Sequence, residues 1–244
     1  MTRHHAVLAY DGSNFQGSQK QANRRTAQGE FEKALRSLGW LDKSALVAGR
    51  TDAGVHATGQ TVAFDLEWPH PEDELLRALN GNLPHDLAVR ELRVTTNEFH
   101  PRFDATSREY RYRLFCDPIR DPLREKFLWR VYPSFDEGAL IKNASLFLGQ
   151  HDFSAFGSRI SPKGTTTRTV TKSEWRKISD GEWRYEVKAD AFLYRMVRRL
   201  VAAQISVAQG KRSVAEIHTA LTKQGKLFVG LAPAHGLTLI EVTY

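Results

Sequence analysis

The chain has 244 residues, 41% of them hydrophobic, with nine histidines, one cysteine and a net charge of +7. Such a length and apolar share build an ordinary core without staples, and the lone Cys116 excludes an internal disulfide framework and any cysteine-rich zinc site. The charge is unevenly spread: residues 1–101 hold 11 Lys+Arg against 13 Asp+Glu, residues 102–244 hold 24 against 15, and Arg159–Arg199 alone holds 11 basic and 5 acidic residues. One face meeting a polyanion would have this distribution; a solvated charged surface is the plain alternative.

In chain order, the opening MTRHHAVLAYDG has an apolar run too short for a signal peptide, and nowhere do roughly eighteen apolar residues run together. The expectation is a soluble cytoplasmic protein with no membrane partner. His4–Tyr10 reads as a strand, and the following DGSNFQGSQKQANRR as a polar, glycine-punctuated loop of a length usually kept for function. Thr26 can cap a helix in which Phe31, Leu35 and Leu38 fall at helical spacing and which Gly39 ends. ALVA and QTVAFDLE read as strands, Pro71 opens a helix with Leu75, Leu76 and Leu79, and LAVRELRV is another strand.

Beyond residue 105 the rhythm repeats. REYRYRLF alternates, with Tyr110, Tyr112 and Leu114 on one face and Arg111, Arg113 and Phe115 on the other. A helix is expected near Glu137–Leu148, then strands TVTKSEWRKI and EWRYEVKA. In the second of these Trp183, Tyr185, Val187 and Ala189 form a core face opposite a wet one of Arg184, Glu186, Lys188 and Asp190. A long helix from about Phe192, another at Val214–Leu221 and the strand LTLIEVT close the chain. The pattern predicts an α+β fold with helices on a largely antiparallel sheet, in two halves, 1–105 and 106–244, that share an interface and a central cleft.

Several chemistries are missing from the residue pattern. There is no G-x-x-x-x-G-K-[ST], no H-E-x-x-H and no zinc-deaminase signature, and the histidines lack metal-ligand spacing, so neither a phosphate-cradling P-loop nor a metal site is expected. The run AGRTDAGVHATG, Ala48–Gly59, is more informative: Arg50 and Asp52 stand two residues apart among Gly49, Gly54 and Gly59. Taken alone, an aspartate there is a turn residue bonding its own backbone. The other reading is a close-approach loop, with glycines making room for a ligand beside a fixed pair of opposite charges.

With ATSREYRYRLF and FLYRMVRRLV, this run resembles the three signature segments of the A-type family of tRNA pseudouridine synthases. AYDGSNFQG, FHPRFDA, GQHDFSAFG and APAHGLTLIEV extend the resemblance over nearly the whole chain. It implies a pseudouridine-synthase-like fold of two fused ferredoxin-like halves around a central basic cleft. It also implies isomerisation of uridine at positions 38, 39 and 40 of the tRNA anticodon stem-loop, no cofactor, and a homodimer. Carried over residue by residue, it makes Asp52 the catalytic nucleophile, Arg50 the arginine that displaces the base, and Arg198 the basic partner of the aspartate. Tyr110 becomes the tyrosine that stacks on the uracil and Leu237 the apolar residue of the pocket. Ser18 stands where the family carries an aromatic residue, and Pro101, Asp104 and Gln150 also depart from its pattern.

The residue types suit the chemistry. The reaction breaks the N1–C1′ bond, turns the bound base and joins C5 to C1′. Asp52 could attack C1′, attack C6 of the uracil, or act as a base on the ribose, and a guanidinium such as Arg198 would restrain its orientation. Tyr110 offers a π-face to an unstacked base and a hydroxyl for proton transfer. Lys163, Arg168, Arg195 and Arg199 are candidate phosphate contacts. Two other functions fit the composition: a non-catalytic RNA-binding module, with the tyrosines as stacking platforms, and a nucleic-acid glycosylase, which would release free base.

Overall fold

The computed structural model describes residues 1–159, 164–222, 228 and 230–244. Its elements in chain order are β1 (Thr2–Tyr10), α1 (Ala27–Ser37), β2 (Leu46–Val47), β3 (His56–Leu66), α2 (Glu72–Asn82), β4 (Leu87–Val94), β5 (Ser107–Cys116), β6 (Trp129–Val131), α3 (Glu137–Ala144), β7 (Gly149–Asp152), β8 (Thr167–Ser179), β9 (Glu182–Ala189), α4 (Met196–Ala208), α5 (Val214–Thr222) and β10 (Leu237–Thr243). This is an α+β fold with mostly antiparallel strand pairing. It divides into two compact units, Met1–Thr106 with Thr238–Tyr244, and Ser107–Leu237.

In the first unit β1 lies between β3 and β4, antiparallel to both; β2 pairs antiparallel with β3, and β10 joins β3 in parallel. Alternation along β1 sends Ala6, Leu8 and Tyr10 into the core. Phe31, Ala34 and Leu35 of α1 and Leu75 and Leu79 of α2 are likewise essentially buried; each large apolar side chain so buried contributes about 1.5–3 kcal/mol. Phe31 stands edge-on to Phe64 of β3 at 5.6 Å between ring centroids. The capping expected from sequence is present: the Thr26 side chain accepts from the Gly29 amide at 3.2 Å, and Gly39, at φ +90, follows the helix end in the left-handed conformation that glycine adopts without strain.

The same helix buries a charge. Glu32, fully inaccessible, accepts hydrogen bonds from Lys20 Nζ (2.6 Å), Gln28 Nε2 (3.0 Å), Ser44 Oγ (3.1 Å), the Ala45 amide (3.1 Å) and Arg36 (3.3 Å). Burial pushes its carboxyl pKa up, but the lysine, the Ala45 amide and Arg36 outweigh burial and hold it below its ordinary value. A carboxyl lowered in the folded state contributes stability above its unfolded pKa and loses it as pH falls through the folded one. Glu32→Gln should therefore cost about 2 kcal/mol at neutral pH, discounted because both cations are partly exposed, and should flatten the loss of stability below about pH 5. Urea denaturation across pH checks this; an unchanged acid limb would refute it.

In the second unit β9 lies between β5 and β8, β7 extends the antiparallel set beyond β8, and β6 joins β5 in parallel. Trp183, Tyr185, Val187 and Ala189 of β9 form the expected core face, and α4 contributes Leu200, Val201, Ala203 and Ile205 to the core, all nearly inaccessible. Two buried polar pairs lie in this core: Trp175 donates to Gln204 Oε1 at 2.9 Å, and the Tyr185 hydroxyl meets Ser173 Oγ at 2.7 Å.

The opposite face of these strands is less wet than the alternation suggests. Glu186, only 5% exposed, takes Lys172 at 2.7 Å, Arg111 at 3.0 Å and Arg184 at 3.2 Å; Lys172 also reaches Glu109 at 3.0 Å, and Arg113 bonds Glu182 at 2.8 Å. The face is a cross-strand ladder of opposite charges.

Two expectations need correction. The long helix starts at Met196, not near Phe192, because Arg195 takes φ +64, a conformation that interrupts a right-handed helix. The helix expected at Glu137–Leu148 ends at Ala144 and continues as a 3-10 turn over Ser145–Phe147. β6 and β7, of three and four residues, are too short to leave a period in the sequence.

Candidate active site

The loop between β2 and β3 carries Arg50 and Asp52. At its β2 end the Ala48 amide donates to Thr61 O at 2.9 Å and Gln60 Nε2 donates to Gly49 O at 2.9 Å. Arg50 is exposed, Thr51 buried and Asp52 half-buried, so alternate side chains face inward and outward. Asp52 then begins a tight turn, Val55 N to Asp52 O at 3.1 Å, with Gly54 at φ +79 supplying the positive φ that the third turn position requires.

Thr51 is the anchor. Its amide donates to Ser18 Oγ at 2.8 Å, its carbonyl accepts from the Ser18 amide at 3.1 Å, and its hydroxyl meets the Tyr10 hydroxyl at 2.8 Å. The first polar loop presses on this one backbone to backbone. A Cβ on Gly12 would lie 2.0 Å from Val55 O, and one on Gly17, at φ +94, would lie 3.1 Å from Thr51 O. The Gly12 amide also donates to His56 Nδ1 at 3.0 Å.

The loop glycines therefore do different work from what the sequence suggests. Gly54 makes the turn, Gly49 has open space around the Cβ position, and Gly59 lies within β3, where a Cβ would meet Ile240 O of β10 at 2.1 Å. The close approach at Gly59 is to the chain's own last strand.

The other candidates belong to the second unit. Tyr110 of β5 is half-buried, its ring edge-on to Phe192 at 5.0 Å. Two residues along the strand and on the same face, Tyr112 is inaccessible and donates to Pro233 O at 2.9 Å; burial raises its pKa well above normal, opposed by the charge of Arg198. Arg198 Nε donates to Ala232 O at 2.7 Å, and the Ala232 amide donates to Arg198 O at 3.1 Å. Segment 232–237 thus bonds both Arg198 and the strand of Tyr110 and leads into Leu237, 5% exposed. Gly236 lets it pass the Tyr112 ring, since a Cβ there would stand 2.6 Å from Cζ.

Of the candidate phosphate contacts, Lys163 lies outside the described residues. Arg195 is exposed, its guanidinium 4.7 Å from the Tyr194 ring centroid. Arg168 and Arg199 are half-buried and use Nη1 on carbonyls of their own chain, Arg168 on Thr165 O at 2.9 Å and Arg199 on Phe228 O at 3.2 Å; burial lowers the pKa of both. Among the described residues, no helix is long and apolar enough to cross a membrane.

Sequence reasoning passed over Thr51, Tyr10 and Phe192. Thr51 stands inside the motif run, but only its burial and three hydrogen bonds distinguish it as the anchor.

The family model described as tRNA pseudouridine synthase matches residues 6–104 and 144–244. A tRNA pseudouridine synthase A of Brevibacillus brevis is 38% identical over 245 residues, covering 100% of both chains. One of Desulfotalea psychrophila, named tRNA pseudouridine synthase A 1, is 36% identical over 98% of each chain, and one of Chloroflexus aurantiacus is 38% identical over 98% of this chain and 87% of that one. A looser likeness, TM-score 0.44 at 14% identity over 85% of this chain and 43% of that one, is to a chain in the crystal structure of the archaeal box H/ACA sRNP Nop10-Cbf5 complex, too loose to bear on the fold. With the Arg50–Asp52 loop and Arg198 both inside the matched segments, the chain belongs to the tRNA pseudouridine synthase family, a family of isomerases.

Proposed function

We propose that this protein isomerises uridine to pseudouridine at positions 38, 39 and 40 of the tRNA anticodon stem-loop, as a cytoplasmic homodimer, with Asp52 as the catalytic carboxylate. The observation that carries the reading is a buried, three-point anchor at Thr51 that presents exposed Arg50 and half-buried Asp52 on its two sides. A carboxylate held this way is pre-positioned for attack, which spares the ordering cost at the moment of reaction. In this reading Arg50 displaces the target base, Tyr110 stacks on it and relays the proton lost from C5, Leu237 lines the pocket, and Arg198 supplies the counter-charge for the carboxylate.

Unmodified tRNAs carrying a single uridine at position 38, 39 or 40 test the assignment: pseudouridine should form at each and at no other stem-loop position. Product confined to a uridine elsewhere would refute the site specificity. Sedimentation at micromolar concentration should give a dimer, and a monomer alone would refute that part.

Among the proposed phosphate contacts, Arg195 has its guanidinium at the surface, whereas Arg168 and Arg199 are partly committed to carbonyls. Arg195→Gln should weaken tRNA binding and lower the slope of log affinity against log salt by about one, because one fewer phosphate is neutralised. Binding titrations at several salt concentrations measure this; an unchanged slope would return Arg195 to the solvated surface.

A further inference from the structure

The glycine-punctuated first loop has an inner and an outer side. Gly12, Phe15, Gly17 and Ser18 are buried, while Ser13, Asn14, Gln16 and Gln19 are exposed. At position 18, where the family carries an aromatic residue, the side chain points inward and is 3% exposed. We infer that Ser18 is a positioning residue for the reaction: through Thr51 it fixes the peptide that leads into Asp52. The inference rests on the catalytic reading of Asp52.

The contact is two-sided. Ser18 Oγ accepts the Thr51 amide at 2.8 Å while the Ser18 amide donates to Thr51 O at 3.1 Å, so both polar groups of one residue's backbone are held by a single neighbour. Removing the hydroxyl strips the buried Thr51 amide of the acceptor it has here, and the backbone must shift to find another. Asp52 is the next residue, so any such shift moves the carboxylate. The neighbourhood supports a specific geometry, because the two loops touch at Gly12–Val55 and Gly17–Thr51, where no side chain could be accommodated without displacement.

A displacement of a fraction of an ångström matters to attack on a bound nucleotide and little to binding, which is spread over many phosphate contacts. Ser18→Ala is therefore expected to lower the single-turnover rate constant about tenfold to a hundredfold while the tRNA Kd stays within about twofold. Ser18→Thr keeps the oxygen and should recover most of the rate. Tyr10→Phe, which releases the Thr51 hydroxyl from the other side, should also reduce the rate with little change in Kd, and it serves if Ser18→Ala does not fold.

A wild-type rate in Ser18→Ala would overturn the inference, as would a loss of rate matched by an equal loss of binding or left unrescued by Ser18→Thr. An Asp52→Asn control separates the two levels. If that control is inactive while Ser18→Ala is fully active, only the positioning role fails; if it retains activity, the catalytic reading of Asp52 fails.

Discussion

Asp52→Asn should abolish pseudouridine formation while leaving tRNA binding intact or slightly stronger. The substitution keeps the side chain's size and one oxygen but removes the negative charge and the nucleophile, and at least three decades of rate should go, on the order of 4 kcal/mol of transition-state stabilisation. Binding should not suffer, because a charge that repels phosphate is gone. The substitution leaves in place the turn made by the backbone carbonyl of Asp52 and the anchoring hydrogen bonds of Thr51. If Asp52 were only a turn residue the change would be nearly silent, since asparagine serves equally in turns. Single-turnover assays and binding titrations on the same folded variant distinguish the two, and substantial product from Asp52→Asn would remove the catalytic assignment.

Gly59→Ala should be the most destabilising of the small substitutions in the motif run. A Cβ at that position would sit 2.1 Å from Ile240 O and 2.8 Å from Ile240 C, backbone atoms that cannot rotate away, so β10 must separate from β3. Forced overpacking of this kind costs about 3 kcal/mol. Gly49→Ala is the matched control, since nothing stands within 4 Å of its Cβ position, and it should stay near wild type. Urea unfolding of the two variants measures the difference; equal midpoints would mean that the β3–β10 contact is not what requires glycine there.

These glycines mark where sequence stops being sufficient. Periodicity and the flanking Thr26, Gly39 and Pro71 locate α1 and α2, and alternation locates long strands such as β9, because each has a one-sided apolar pattern, as in Phe31 and Leu35 or Trp183 and Tyr185. The start of α4 was not legible, because the left-handed Arg195 that delays it sits in an arginine-rich stretch that reads as helix. The motif run named Arg50 and Asp52, but the reasons for its neighbours are long-range. Gly59 answers to Ile240, and Thr51 answers to Ser18 and Tyr10 across more than thirty residues of chain, contacts that a local reading cannot contain. Position 18 illustrates the same limit: its departure from the family pattern was visible, its inward direction was not. The charged face of β9 was read as wet because charge usually signals solvent, whereas Glu186 is buried by its own cross-strand cations.

The central claim, isomerisation by a carboxylate of this chain, is met most directly by incubating the protein with unmodified tRNA and following both pseudouridine and free uracil. Isomerisation predicts pseudouridine approaching one per modifiable uridine, no change in the mass of the tRNA and no uracil in solution. Free uracil with an abasic tRNA, or tight binding with no product, would contradict it.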